Sequence, residues 1–521
     1  MLCRAQINET SFNASIKWRM GSVMANANFF KALAKAFADK KARPFLINDD
    51  GLDVTYADMA KRASEAAGRL VACGLTPGNR LLVQVEKSVE NIALYLGAMQ
   101  AGIVYVPLNT SYTDEEVAYF IDDADPGLII CAPSRADGIR SIAARRKIET
   151  LASDGTGSFM DVAPTSEAPD ICHKSGDDIA VILYTSGTTG RSKGAMLTHA
   201  NLETNARALC DLWEITDQDT LVHTLPIFHI HGLFVALHTT MLRGARVYFQ
   251  AKFDPDAVIN ALAACTLMMG VPTMYSRLLA HPRFDASCIS NMRLFISGSA
   301  PLSEETFSTF KARTGHSILE RYGMSEAGMI TSNHYGGARV ADTVGYPLPG
   351  VSVRIASTTP DTPGEVEIKG PGVFSGYWRN REKTMAAFTA DGWFKTGDVG
   401  ILSDDGRLSL VGREKDLIIV GGFNVYPKEV EAALDAHPAI AESAIVAAPH
   451  PDMGEGVAAF LVGENQVRPS DAELHKHLAT LAAFKRPRVF RWLDALPRNA
   501  MGKVQKHVLR TKVRDVFQTV K

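Results

Sequence analysis

Tyr184-Thr185-Ser186-Gly187-Thr188-Thr189-Gly190-Arg191-Ser192-Lys193-Gly194 carries three glycines, five Ser/Thr hydroxyls and one lysine directly behind the apolar run Ile179 to Leu183. Glycines let a backbone approach a polyanion without Cβ clashes, while N–H groups, hydroxyls and an ammonium replace the water stripped from phosphates. The segment therefore reads as a nucleotide-phosphate loop delivered by a β-strand. In the common P-loop the lysine is followed at once by Ser or Thr. Here Gly194 follows Lys193, which implies a different ATP chemistry. Composition alone would equally suit a Ser/Thr/Gly-rich surface loop.

Three further segments follow in order: Glu320-Arg321-Tyr322-Gly323-Met324-Ser325-Glu326, then Trp393-Phe394-Lys395-Thr396-Gly397-Asp398, then Pro497-Arg498-Asn499-Ala500-Met501-Gly502-Lys503. Together with the loop they resemble the adenylate-forming superfamily of acyl-CoA synthetases, luciferases and peptide-synthetase adenylation domains, from about Asn26 to about Arg514. The resemblance implies a large N-terminal domain of α/β sheets and a small mobile C-terminal α+β domain. It also implies an ATP-dependent acid–CoA ligase: carboxylate and ATP give acyl-AMP and pyrophosphate, and the CoA thiol then displaces AMP.

Roles come with the resemblance. Thr185, Ser186, Gly187, Thr188, Thr189, Gly190 and Lys193 would cradle the β- and γ-phosphates, and Glu326 would hold Mg²⁺. Ser299-Ala300-Pro301 and Tyr322-Gly323 would wall the adenine, Tyr322 by stacking, within the nucleotide motif Glu320 to Ser325. Asp398 would accept both ribose hydroxyls with Arg413 reinforcing it; outside the resemblance, Asp398 is a turn carboxylate after Gly397. Lys503, otherwise a surface lysine, would stabilise charge between the substrate carboxylate and the α-phosphate. Lys415 would be the pivot of a domain rotation that removes Lys503 and brings Gly421, Gly422 and Phe423 beside the incoming thiol.

For the acid, the resemblance puts His229-Ile230-His231 and Met324 on the acyl pocket, with His229 closest to the chemistry. A second imidazole there suggests a small, polar acid. Ala25 to Asn28, Tyr105 to Asn109, Met292 to Pro301 and Gly421 to Glu429 look like malonyl-CoA synthetases. A dicarboxylate needs a cation for its distal charge; Arg293 is the first candidate, Arg277 the second, His231 a helper. Methylmalonate is a further substrate on this reading. The alternatives are a CoA ligase for another short-chain, fatty or aromatic acid, a luciferase-like enzyme, whose pocket should be larger and less polar, and a peptide-synthetase module, which a carrier domain should follow.

The elements that must position these residues are legible as short apolar runs alternating with amphipathic stretches: Arg80 to Val85, Val104 to Leu108, Gly127 to Cys131, Ile179 to Leu183 and Arg293 to Ile296. That alternation predicts α/β with largely parallel strands. Thr113 and Glu116 have capping-box spacing and predict a helix start. From Gly345 the texture turns to short strands with Gly/Pro turns, a β-rich subdomain. The resulting partition is an N-terminal extension over 1–24, an N-terminal domain over 25–412 with the β-rich part at 345–412, a hinge at 413–416 and a C-terminal domain over 417–521.

At 521 residues the chain exceeds one ordinary core. A formal net charge of −2 argues against a nucleic-acid or anionic-membrane binder. From Lys476 to Lys521, however, 12 Lys and Arg face only Asp494 and Asp515, which suits either a solvated helix face or attraction of polyphosphorylated CoA. Seven dispersed cysteines lack zinc spacing and fit reduced thiols in the cytoplasm. No apolar run approaches the roughly 20 residues that span a bilayer, so no membrane insertion is expected; organellar import through the extension is the alternative to a cytoplasmic place.

Overall fold

The computed structural model of the protein describes residues 25–47, 53–143, 145–185, 192–357, 362–499 and 502–517. The expected extension over 1–24 and the loop positions Ser186, Gly187, Thr188, Thr189 and Gly190 lie outside the described residues. Among the described residues the strands form four sheets, and the α/β expectation holds.

The first sheet runs Ile148–Thr150, Leu128–Cys131, Arg80–Gln84, Val104–Pro107, Ile179–Thr185, Lys193–Thr198. Its pairings are parallel except the last, where Ile179–Thr185 turns back antiparallel onto Lys193–Thr198. Its inner strands Leu128–Cys131 and Val104–Pro107 are buried at every position, as parallel strands covered on both faces require. The helix Asp114–Ala124 starts where the sequence predicts, with Thr113 and Glu116 capping each other's backbone N–H groups. Two rings of that helix, Tyr119 and Phe120, pack on Tyr184 near the end of the strand Ile179–Thr185.

The second sheet is nine-stranded, with Leu319–Met324, Leu294–Ser297, Leu267–Gly270, Thr220–His223 and Arg246–Phe249 parallel at its centre. Its strand carboxyl ends carry Ser299 and Tyr322, the place where open α/β sheets hold ligands. The antiparallel sheet Ser352–Ala356, Gly364–Lys369, Phe394–Leu402, Leu408–Arg413 is the β-rich part expected after Gly345. It brings Asp398 opposite Arg413 in register.

The fourth sheet joins Phe423–Val425, Ile418–Val420, Gly454–Gly463, Ile440–His450 and Val489–Trp492. It has an apolar core of its own built from Ile418, Val425, Ile445, Leu461 and Phe490. The charged segment before it is a strand end followed by a single 3₁₀ turn, Glu414–Asp416. Asp416 in that turn is paired with Arg510 at 2.5 Å. No helix among the described residues is long and apolar enough to cross a membrane.

Candidate active site

On the phosphate side, the strand Ile179–Thr185 ends in Thr185, whose hydroxyl donates to Glu326 Oε1 at 3.1 Å. Tyr377 donates to the same oxygen at 3.2 Å. Lys193, first residue of the return strand, lies with Nζ 4.6 Å from the centre of the Tyr377 ring. Burial lowers its ammonium pKa, and the Glu326 carboxylate acts in the opposite sense. The structure thus brings Thr185, Lys193 and Glu326 together. Tyr377, which joins them, was not singled out from the sequence.

On the nucleoside side, Tyr322 donates to Asp398 Oδ2 at 2.6 Å, and Arg413 Nε meets Asp398 Oδ1 at 2.7 Å. A buried carboxylate is tolerated when paired like this. Tyr322 is buried as well, so its hydroxyl aims Asp398 while its ring is left to form a wall. Ser299 adopts a left-handed backbone, φ 72°, an uncommon state for a residue with a Cβ that marks functional turns. Ala300 is half-buried and Pro301 exposed beyond it. Gly323 and Ser325 are half-buried on the same strand end. Glu320 points elsewhere in character: burial pushes its carboxyl up to about 8, and its Oε1 lacks a partner among the described residues.

Lys503 sits on a small closed loop. Asn499 N–H donates to Lys503 O at 2.9 Å, Lys503 N–H to Asn499 Oδ1 at 2.9 Å, and Gln505 N–H to Pro497 O at 2.8 Å. Gly502, at φ 72°, packs so near Thr273 that an added Cβ would lie 2.9 Å from its Oγ1, which docks the loop on the helix Pro272–Leu279. Desolvation by the cleft walls, then repulsion from Arg413, push the Lys503 ammonium down to about 8. The Lys503 residue is nonetheless exposed to solvent. Lys415, in the 3₁₀ turn Glu414–Asp416, is also lowered by burial and by Arg413. Gly421 and Gly422 form the open turn between Ile418–Val420 and Phe423–Val425, and exposed Phe423 stacks on Phe484 at 4.9 Å.

The acyl side departs from expectation. Arg293 precedes the strand Leu294–Ser297 and therefore sits at its amino end, about 20 Å along the chain from Ser299 at roughly 3.3 Å per residue. Its guanidinium is bidentate to Asp219, at 2.7 and 2.8 Å, and donates to the Trp213 and Glu214 carbonyls. Arg277 is exposed and lies over the Phe253 ring at 4.9 Å. The Arg293 guanidinium is therefore taken up by protein groups rather than left for a distal carboxylate, while Arg277 contacts Phe253.

Arg321 acts on both histidines, and Lys503 acts on His229 as well. Arg321 is buried, and its Nε and Nη2 have no hydrogen-bond partner among the described residues. Burial pushes its guanidinium down to about 9. It lies flat beneath Gly298, where an added Cβ would come within 2.5 Å of its Cζ. Burial first, then the charges of Arg321 and Lys503, push the His229 imidazole down to about 4. Burial and Arg321 likewise hold His231 well below its ordinary value. His231 Nδ1 lies 3.3 Å from Ser299 Oγ, while its buried Nε2 and the buried Ser297 Oγ are unpartnered among the described residues.

His231 opens a π-helical turn over His231–Leu237, a rare geometry concentrated at functional sites. Ile230 is buried against the core and Met324 partly so. The sequence reading placed Arg321 with the nucleotide through its motif. An arginine between Leu319 and Tyr322 on an otherwise buried strand was the available signal for a second role.

These side chains gather at the strand ends of two sheets, and the chain belongs to the AMP-binding enzyme family. Residues 33–378 match that family and residues 429–503 its C-terminal domain. It is an acid–thiol ligase that works with ATP in two steps. The chain is 34% identical to a malonate–CoA ligase of Arabidopsis thaliana, covering 85% of this chain and 79% of that protein. It is 33% identical to a feruloyl-CoA synthase of Amycolatopsis, covering 89% and 95%. The ATP-bound crystal structure of MatB from Rhodopseudomonas palustris superposes with a TM-score of 0.92 at 47% identity, covering 95% of this chain and all of that one.

Proposed function

We propose that this chain joins malonate to coenzyme A. The observation that carries the choice of acid is Arg321: a buried guanidinium whose Nε and Nη2 are unpartnered among the described residues, close enough to His231 to act on its charge. A carboxylate would satisfy the free guanidinium donors, whereas an alkyl or aryl tail would leave them desolvated and unpaired. Similarity to an enzyme named as a malonate–CoA ligase supports the same choice.

In the first step a malonate carboxylate oxygen attacks the ATP α-phosphorus and pyrophosphate leaves. Thr185 and Lys193 bind the phosphates, Asp398 the ribose, and Lys503 faces the negative charge that builds between the two anions. At neutral pH Lys503 is mostly the ammonium this role needs, while His229 is neutral and donates or accepts without adding charge. Mg²⁺ fits Glu326, because Thr185 and Tyr377 both bond its Oε1 and Mg²⁺ is content with one or two carboxylates plus phosphate oxygens and water. When bound it would neutralise phosphate charge.

In the second step the CoA thiol, losing its proton, attacks the acyl carbon and AMP departs. Rotation about Lys415 would withdraw Lys503 and present Gly421, Gly422 and Phe423 to the thiol. Pyrophosphate release should be measured over acetate, malonate, methylmalonate, succinate, octanoate and 4-coumarate, with and without CoA. Malonate should have the highest kcat/KM. A higher value for octanoate or 4-coumarate would overturn the choice of acid and leave the ligase class standing.

A further inference from the structure

The segment from Phe374 to Trp378 is laced between the two groups that would meet the phosphates. Phe374 N–H donates to the Glu326 carbonyl at 2.7 Å. On the other side, Ser375 N–H donates to Met196 O at 3.2 Å, Met196 N–H to Gly376 O at 3.0 Å, and Trp378 N–H to Gly194 O at 2.8 Å. Tyr377 therefore rides on backbone fixed at both ends, opposite Ala195 in an antiparallel bridge. Its ring packs edge-on against Phe374 at 4.8 Å, and only 8% of the residue is exposed.

Both polar features of that side chain are spent on the phosphate machinery. The hydroxyl donates to Glu326 Oε1 at 3.2 Å, and the ring face lies 4.6 Å from Lys193 Nζ. Thr185 and Tyr377 bond the same carboxylate oxygen, so Glu326 is gripped by one edge and Oε2 is kept for a ligand. A ring under an ammonium holds a cation without neutralising it, which leaves the charge of Lys193 for an anion. A second carboxylate in that place would have cancelled it.

We propose that Tyr377 is a positioning residue for the metal–triphosphate: its hydroxyl aims Glu326, its ring seats Lys193, and the one side chain sets their separation. The inference rests on Glu326 as the magnesium ligand. Partners that orient a metal ligand typically carry 10- to 100-fold in metal affinity. Tyr377→Phe keeps the ring and removes the hydroxyl. The Mg²⁺ concentration for half-maximal pyrophosphate release should rise about tenfold by that rule, while calorimetric affinity for ATP in EDTA should stay within about twofold because the ring–cation contact is kept.

Tyr377→Leu should also weaken metal-free ATP binding, by roughly threefold, the worth of a partly exposed cation–π contact. A merely structural tyrosine would lower the melting temperature and shift all parameters together. Glu326→Gln separates the two layers of the reading. A raised Mg²⁺ requirement in Glu326→Gln with an unchanged one in Tyr377→Phe overturns the inference alone. An unchanged requirement in Glu326→Gln overturns the metal assignment, and the inference with it.

Discussion

Replacing Arg321 with methionine should make the protein more stable and a worse enzyme for malonate, and the two effects come from one cause. In the free protein the guanidinium is buried with Nε and Nη2 unpartnered among the described residues, and burial has already pushed it down to about 9. Unsatisfied buried donors destabilise by about 1–3 kcal/mol. Methionine keeps much of the volume beneath Gly298 and removes that term, so the melting temperature should rise by about 1–4 °C for a chain of this size. With malonate bound, the same substitution strips the distal carboxylate of the cation proposed for it, and removing one partner of a buried charged contact costs about 2–5 kcal/mol. At about 1.4 kcal/mol per tenfold, kcat/KM for malonate should fall at least about 30-fold. Butyrate, of similar size and neutral at that end, should lose less than about threefold or gain, since burying its methyl group no longer strands a charge. The assay is pyrophosphate release for both acids beside a thermal melt of the same preparations. A parallel fall for both acids with a lowered melting temperature would refute the reasoning, because it would make Arg321 a packing residue under Gly298.

Lys503→Ala should cut acyl-AMP formation by about a hundredfold or more, the loss expected for one preorganised charge, while CoA attack on supplied malonyl-AMP is much less affected; equal losses in both half-reactions would remove Lys503 from the adenylation step. Because the active form of Lys503 is the acid and its pKa is pushed down to about 8, kcat/KM for adenylation should be level below that pH and fall as pH rises through it. Lys503→Arg should abolish that alkaline fall, and a fall that persists unchanged in the arginine variant would assign it to another group. Lys415→Pro fixes φ in the hinge turn and removes a backbone donor, so adenylation should largely persist and thioester formation collapse. Normal rates for both steps would show that no rotation operates through Lys415.

Local chemistry was legible where the cause is local. Thr113 and Glu116 cap the helix they were expected to cap, and the apolar runs are strands within a residue or two, because caps and patterning act over a few positions. Asp398 and Arg413 could be read as partners only through motif order; the sheet supplies the physical reason, a register that sets them opposite each other. Tyr377 was not legible, since nothing in a Gly-Tyr-Trp string says that the ring will sit under Lys193 and the hydroxyl on Glu326. Contacts of that kind exist only after distant strands have been brought together.

The contrast between Arg293 and Arg321 is more instructive, because sequence reasoning held a rule that bears on it. In parallel sheets ligands gather at the carboxyl ends of strands, so an arginine just before Leu294–Ser297 lies at the wrong end, whereas one within Leu319–Met324 can reach the cleft. Arg293 then does what a buried-edge arginine does in a folded protein: it is saturated by Asp219 and two carbonyls. Arg321 breaks the rule that buried charges are paired, and a fold keeps such a violation where a ligand completes it. The unpaired guanidinium is therefore more informative about the substrate than any of the satisfied charges around it. It argues for a second carboxylate on the acid without reference to any relative.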